Sequence, residues 1–271
     1  MESPSASDVA VVFCHGCYHT PAPYIPLMES LRAIGIDAHC PQLPTSDLKK
    51  LNVGDDNNPD FDRGPPEGGY PQGHEDTETI LSVLGPSVNQ RKRVLMIGHS
   101  SGGWVATEAA RPELQATTRR DQGLAGGIIG ILYIGAFVIP VGESIHGFFQ
   151  PNDGSFAVPP FLDFHVRKAD FLIIFLLLST DNKKWLATLT ASPVLKTKLS
   201  NNAYEALPCA YLILEGDQAL PKEYQESMVA LQVQKTGDFT LYRCPSGHSP
   251  HLSCTDGTAQ IIQEFVKEIE N

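Results

Sequence analysis

The sequence predicts an α/β protein: a mostly parallel, six-stranded sheet flanked by helices. Three observations carry that expectation. Short apolar runs alternate with segments of helical periodicity along the chain, the order that a parallel sheet with crossover helices requires. The stretch from Gly127 to Ile139 is so continuously apolar that both of its faces must be covered. Gly98-His99-Ser100-Ser101-Gly102 stands where one apolar run ends and a helix-like stretch begins, a corner with a distinctive backbone requirement.

Taken in order, Val9-Ala10-Val11-Val12-Phe13 is the first strand. Tyr24, Leu27, Met28, Leu31 and Ile34 then form a helical stripe, stopped by Gly35. Ile36-Asp37-Ala38-His39-Cys40 is a short strand closed by Pro41, and residues 52–73 form an irregular loop rich in Asp, Asn, Gly and Pro. A helix from Glu75 to Leu84 precedes the strand Arg93-Val94-Leu95-Met96-Ile97, and a second helix runs from Gly102 to Ala110. Ala210-Tyr211-Leu212-Ile213-Leu214 and Phe239-Thr240-Leu241-Tyr242-Arg243 read as strands. Between them Pro221 opens a helix with Tyr224, Met228 and Leu231 on one side. The last helix turns Ile261, Ile262, Phe265, Val266 and Ile269 inward.

Gly-x-Ser-x-Gly at a strand-to-helix corner forces the serine into a strained turn with its hydroxyl exposed above the sheet. A serine hydroxyl is a poor nucleophile until a base removes its proton. Partners follow in the order acid then His: Asp217 in the turn after the strand ending at Leu214, and His248 after the strand ending at Arg243. Glu215 and Glu143 compete with Asp217, and His251 with His248, which the Gly247-His248 step favours. In this arrangement Ser100 attacks, His248 carries the proton, and Asp217 holds the imidazole tautomer and stabilises its cation. The oxyanion would be met by the backbone N–H of Ser101, at the positive end of its helix, and by that of Cys17 after the first strand.

With His15-Gly16-Cys17, Gly98-His99-Ser100-Ser101-Gly102, Glu215-Gly216-Asp217 and Gly247-His248 each at a strand end, the chain resembles the α/β-hydrolases over nearly its whole length. It is most similar to the short branch that lacks the first two strands and includes plant hydroxynitrile lyases and small plant methyl-ester hydrolases. Those lyases carry a lysine directly after the catalytic histidine, where this chain has Ser249, so the resemblance argues against cyanide chemistry. It also implies a helical cap inserted at residues 141–204, with the hydrolase core at 1–140 and 205–271. Seven of the twelve phenylalanines fall in that insertion, which implies an apolar pocket. Tyr18, His19, Phe137, Phe148, Phe171 and Phe175 are the candidate substrate-binding residues. The expected activity is hydrolysis of a small to medium hydrophobic ester or lactone through an acyl-enzyme. Two alternatives keep the fold: a tailoring enzyme that turns the triad to lyase, retro-Claisen or cyclase chemistry, and a ligand sensor with little turnover.

Composition narrows the partners. A formal net charge of −11 disfavours nucleic acid and anionic membranes. Met1-Glu2-Ser3-Pro4-Ser5 has neither the basic nor the apolar stretch of a signal peptide, and the longest apolar run, Phe171 to Leu178, is too short to span a bilayer. A cytoplasmic protein with free thiols is expected. Cys14-His15-Gly16-Cys17 lacks both the helix start of a redox pair and the second ligand pair of a zinc site, so neither metal nor cofactor is expected. An apolar cap face would suit a homodimer.

Overall fold

Strand β1, Val9–Cys14, is buried along its whole length, as an all-apolar hexapeptide in the middle of a sheet must be. The structure, a computed structural model, describes residues 8–17, 19–60, 63–149, 162–167, 171–176, 190–191 and 193–270. After β1 come α1 (Ile25–Ala33), β2 (Asp37–His39), the small antiparallel pair β3 (Gly54–Asp55) and β4 (Asn58–Pro59), and α2 (Gly73–Asn89). Next are β5 (Arg93–His99), α3 (Gly102–Ala109), α4 (Ala116–Asp121) and β6 (Gly127–Ile134). The following segment holds α5 (Ile145–Phe148), β7 (Leu162–Arg167), β8 (Phe171–Leu176), β9 (Thr190–Ala191), α6 (Pro193–Lys196) and α7 (Ala203–Ala206). The chain closes with β10 (Cys209–Leu214), α8 (Lys222–Thr236), β11 (Phe239–Cys244), α9 (Pro250–Ser253) and α10 (Thr255–Glu270).

The main sheet has six strands in the order β11-β10-β6-β5-β1-β2, and every pairing in it is parallel. From β1 the chain steps outward to β2, then returns to β5 and proceeds to the other edge. The strand order therefore reverses between β1 and β5, and the loops leaving their carboxyl ends part to leave a crevice there. Phe13 pairs with Ile97 and Cys14 with Gly98, so the segments Cys14–Cys17 and Gly98–Ser101 leave the sheet at the same level.

Alternation along the strands sends side chains to two cores. Ala10, Val12, Met96 and Tyr133 pack with Ile80 and Leu84 of α2 and with Trp104 and Val105 of α3. Val11, Phe13, Leu95 and Ile97 pack on the other face with Leu27 and Leu31 of α1 and with Ile262 and Phe265 of α10.

Three elements differ from expectation. Helix α2 continues through Pro86 to Asn89 rather than ending at Leu84. The proline removes one ladder bond, but Ser87 Oγ donates to the Val83 carbonyl at 2.8 Å, and burial of Val88 favours the extra turn. Strand β6 stops at Ile134, not Ile139, because Gly135 turns at φ +44° beside Leu214. Residues 136, 138 and 139 are nevertheless fully buried, which is why their apolar run looks like strand. In the insertion expected to be helical, the described residues include a three-stranded antiparallel sheet, β7-β8-β9, beside short helices. A six-residue apolar run such as Phe171–Leu176 carries no periodicity that separates strand from helix.

Ile262, fully buried on the inner face of α10, reports on that packing. Ile262→Ala is expected to lower unfolding free energy by about 2–5 kcal/mol in denaturant titration, through lost burial and a residual cavity.

Candidate active site

Ser100 sits between β5 and α3 with φ +55°, in the left-handed region that non-glycine residues rarely occupy. Its backbone is held from three sides. Its N–H donates to the Ile134 carbonyl at 3.3 Å, and its carbonyl accepts from Gly103 N–H and Phe137 N–H, both at 3.0 Å. The sharp corner brings α3 against β1: a Cβ on Gly102 would lie 1.9 Å from the Cys14 carbonyl oxygen. A Cβ on Gly16 would lie 2.9 Å from that of Ser100, so the loop after β1 can lie alongside the serine only as glycine.

The structure brings Asp217 and His248 together. His248 Nδ1 lies 2.7 Å from Asp217 Oδ2, and the carboxylate is fully shielded from solvent. Its other oxygen accepts from the N–H groups of Ala219 (2.8 Å) and Leu220 (2.9 Å). Gln225 Nε2 reaches Oδ2 at 3.3 Å. With Nδ1–H donated to the carboxylate, a neutral His248 keeps Nε2 bare and able to take a proton. Glu215 instead points outward to Arg243 at 3.8 Å. Gln225 was not legible in the sequence as a site residue. Buried on α8, it accepts from Leu214 N–H and donates to the Leu220 carbonyl, clamping the loop that carries Asp217.

His248 is tied to the serine corner through His99. His99 Nε2 lies 2.7 Å from the carbonyl of His248, which can only accept, so that nitrogen carries the proton. Burial holds His99 well below the usual imidazole range, hence neutral, and its Nδ1 therefore accepts from Tyr24 O–H at 2.6 Å. The single Tyr24 proton is then used. The Tyr24 oxygen accepts from Gly16 N–H at 3.3 Å and from His19 Nδ1–H at 2.9 Å. Tyr24 is thus the hub of a buried network, although the sequence shows it only as one apolar position of a helical stripe. His251, the competitor of His248 in the sequence, is buried and stacks on Tyr24 with ring centroids 4.2 Å apart. His15 donates from Nδ1 to the Gly16 carbonyl (3.0 Å) and accepts at Nε2 from Leu43 N–H (3.1 Å), fixing the loop beneath Cys17.

The two amides expected to meet an oxyanion stand differently. Ser101 N–H, in the first turn of α3, has no acceptor among the described residues. Cys17 N–H donates to Ser101 Oγ at 2.7 Å. The Ser100 hydroxyl forms no hydrogen bond among the described residues.

Of the expected pocket residues, Phe137 donates its own N–H to the Ser100 carbonyl, and its ring meets Phe149 edge-on at 5.5 Å. Phe148 meets the same ring at 5.0 Å. Phe149 and Tyr224, with ring centroids 6.0 Å apart, extend this cluster and were not among the expected pocket residues. His19 lies in the buried imidazole network, stacked on His99 at 5.4 Å. Phe171 and Phe175 lie on β8, with their side chains outside the described residues, as Tyr18 is altogether. The six cysteines are free thiols, and no group of three or more metal-ligating side chains occurs among the described residues. No described helix is long and apolar enough to cross a membrane.

A model of the alpha/beta hydrolase family matches residues 11–261. The chain belongs to that family. It is 26% identical over 268 residues to the alpha/beta hydrolase nvfD of Aspergillus novofumigatus (strain IBT 16806), covering 96% of this chain and 97% of that protein. Two solved structures share the alpha/beta hydrolase fold at lower identity. A pyrethroid hydrolase from Sphingobium faniae JZ-2 matches with a TM-score of 0.69 at 17% identity, covering 96% of this chain and 97% of its own. The methylesterase MES16 from Arabidopsis matches with a TM-score of 0.62 at 18% identity, covering 96% and 99%.

The buried imidazoles set an acid limit on this hydrolase fold. Burial lowers His15 from 6.5 to about 4 and His251 to about 3, and holds His19 and His99 well below the usual range. The unfolded chain therefore binds protons on these four that the folded chain refuses, and this stabilisation, complete above about pH 6.5, is lost as pH falls towards 4. Asp76 opposes the trend by one proton, because burial raises its carboxyl to about 7 and the folded state protonates first. A net uptake of about three protons on unfolding is expected from these five groups between pH 6 and 5, read from the pH dependence of unfolding free energy.

Tyr24→Phe, which strips a partner from Gly16, His19 and His99 at once, should cost about 2–4 kcal/mol in the same measurement.

Proposed function

We propose that the protein is a serine hydrolase that cleaves a hydrophobic carboxylic ester or lactone through an acyl-enzyme. The observation that carries this is the buried Asp217–His248 pair at 2.7 Å, tethered by His99 to a serine at φ +55°. Few needs other than exposing a hydroxyl at a helix start account for a serine held in that conformation, which costs about 1–3 kcal/mol.

The steps follow from the groups present. Ser100 Oγ adds to the carbonyl carbon while its proton passes to His248 Nε2, and the carbonyl electron pair becomes an oxyanion. Collapse expels the alcohol oxygen, which takes that proton. Water then repeats the sequence on the acyl-enzyme and releases the acid. Asp217 stabilises the imidazolium from a fixed position, since four donors or partners already hold its oxygens. The Ser100–His248 hydrogen bond is completed when substrate binds, as such bonds often tighten only in the complex. The ring cluster of Phe137, Phe148 and Phe149, anchored next to Ser100 through the Phe137 N–H, favours an apolar acyl or alcohol group. The esterase and hydrolase activities named for the structural neighbours agree with this reaction class.

Ser100→Ala is expected to abolish turnover of short-chain p-nitrophenyl esters and labelling by a fluorophosphonate while leaving the circular dichroism spectrum intact. Retained turnover would remove the serine from the mechanism. Hydrolysis in 18O-labelled water should place the label in the released carboxylate, whereas lyase or cyclase chemistry would not. Ser100→Gly should be more stable than Ser100→Ala by about 1 kcal/mol in thermal unfolding, since glycine accepts a positive φ without strain.

A further inference from the structure

Hydrogen-bond accounting at the start of α3 leaves one proton over. The Ser101 hydroxyl accepts from Cys17 N–H at 2.7 Å, yet its own O–H has no acceptor among the described residues. The backbone N–H of the same residue is likewise unclaimed. Ser101 is itself almost wholly buried, 4% exposed, at the first turn of the helix. Its Oγ lies against the Cys17 amide, in the loop that passes beside the nucleophile at Gly16, rather than in open water. The Cys17 amide, the natural second donor of an oxyanion hole, is meanwhile engaged.

We propose that Ser101 supplies two of the oxyanion's hydrogen bonds, one from its backbone N–H and one from its hydroxyl, with Cys17 acting through that hydroxyl. This rests on the serine-hydrolase mechanism above and assigns a side chain to the step where negative charge develops. When Ser100 Oγ adds to the substrate carbonyl, the new oxyanion takes the Ser101 O–H proton as a hydrogen bond. The Cys17 N–H, already on the other side of the Ser101 oxygen, polarises that O–H and strengthens it. A hydroxyl can do both at once, because it has one donor and two acceptor positions. No proton is transferred, and the charge stays on the substrate oxygen until the intermediate collapses. The positive end of α3 acts on the same point. The arrangement also explains why a small hydroxyl residue fits position 101: an apolar side chain there would leave the Cys17 N–H facing a buried, unpaired site.

The rival geometry has Ser101 Oγ swing aside so that Cys17 N–H contacts the oxyanion directly, and the two make opposite predictions. Ser101→Ala and the near-isosteric Ser101→Cys are compared on a p-nitrophenyl ester, with Ser100→Ala as the control for the nucleophile. If the hydroxyl is a donor, both variants lose about 100-fold to 1000-fold in kcat with KM changed by less than about threefold. A trifluoromethyl ketone, which forms a tetrahedral oxyanion on the serine, should lose affinity in parallel, while binding of the carboxylic acid product stays within about threefold of the parent. A merely structural role would weaken product and ketone together. Either variant that folds and keeps kcat within about threefold of the parent, or exceeds it, overturns the assignment in favour of the swinging serine. Should Ser100→Ala itself remain active, the failure lies in the serine mechanism and not in the role of Ser101.

Discussion

The site depends on one backbone conformation, the left-handed turn at Ser100. A β-strand and an α-helix meet there with almost no spacer, so the first turn of α3 passes directly over the end of β1. Glycine at 102 is required by contact with the Cys14 carbonyl, and glycine at 16 by contact with the serine itself. The strain is tolerated because three hydrogen bonds from β6, α3 and the loop at Phe137 determine the backbone of Ser100 more strongly than its own torsional preference does. Removing any of these supports would let the hydroxyl rotate away from the crevice where charge has to be handled.

Beneath that turn lies an unusual amount of polar material for a protein interior. His15, His19, His99, His251 and Tyr24 are all buried, and they remain neutral because desolvation penalises the imidazolium cations and the phenolate anion alike. Neutrality is what makes the network directional. His99 must donate to the His248 carbonyl, Tyr24 must donate to His99, and His19 must donate to Tyr24. A chain of hydrogen bonds with one allowed direction is stiff, and it ends on the backbone of the residue whose imidazole is paired with Asp217. The position of His248 is thereby coupled to the loop after β1 through buried side chains.

On the mechanism proposed above, the buried carboxylate, the imidazole and the helix start suit this crevice to acyl transfer. Asp217 is satisfied before any reaction begins, so no reorganisation is needed when His248 becomes cationic. Phe137, Phe148 and Phe149 form an edge-to-face aromatic cluster, and as the apolar boundary of the proposed site it would strengthen each electrostatic contact by excluding water.

The main sheet and the residues meeting at its rim were legible in the sequence, because both are written in local patterns. Apolar runs bounded by turn residues mark strands, and Gly-x-Ser-x-Gly encodes a turn that few other residue types can make. The order Ser100, Asp217, His248 follows from strand ends that each announce themselves. Other features depended on contacts between distant segments. Nothing about Gln225 distinguishes it from an ordinary helical glutamine until the loop after β10 folds onto it, and His251 looks like a surface residue until Tyr24 stacks against it. The end of β6 and the strands at Leu162–Arg167 and Phe171–Leu176 were hidden for a related reason: burial makes strand, loop and helix equally apolar, so composition cannot tell them apart. Sequence alone thus determined the family of the fold and the order of the candidate site residues along the chain. Only the tertiary structure decided which hydrogen-bond donors at the site are engaged, because donor direction is set by partners that lie eighty or more residues away, as Cys17 and Ser101 do.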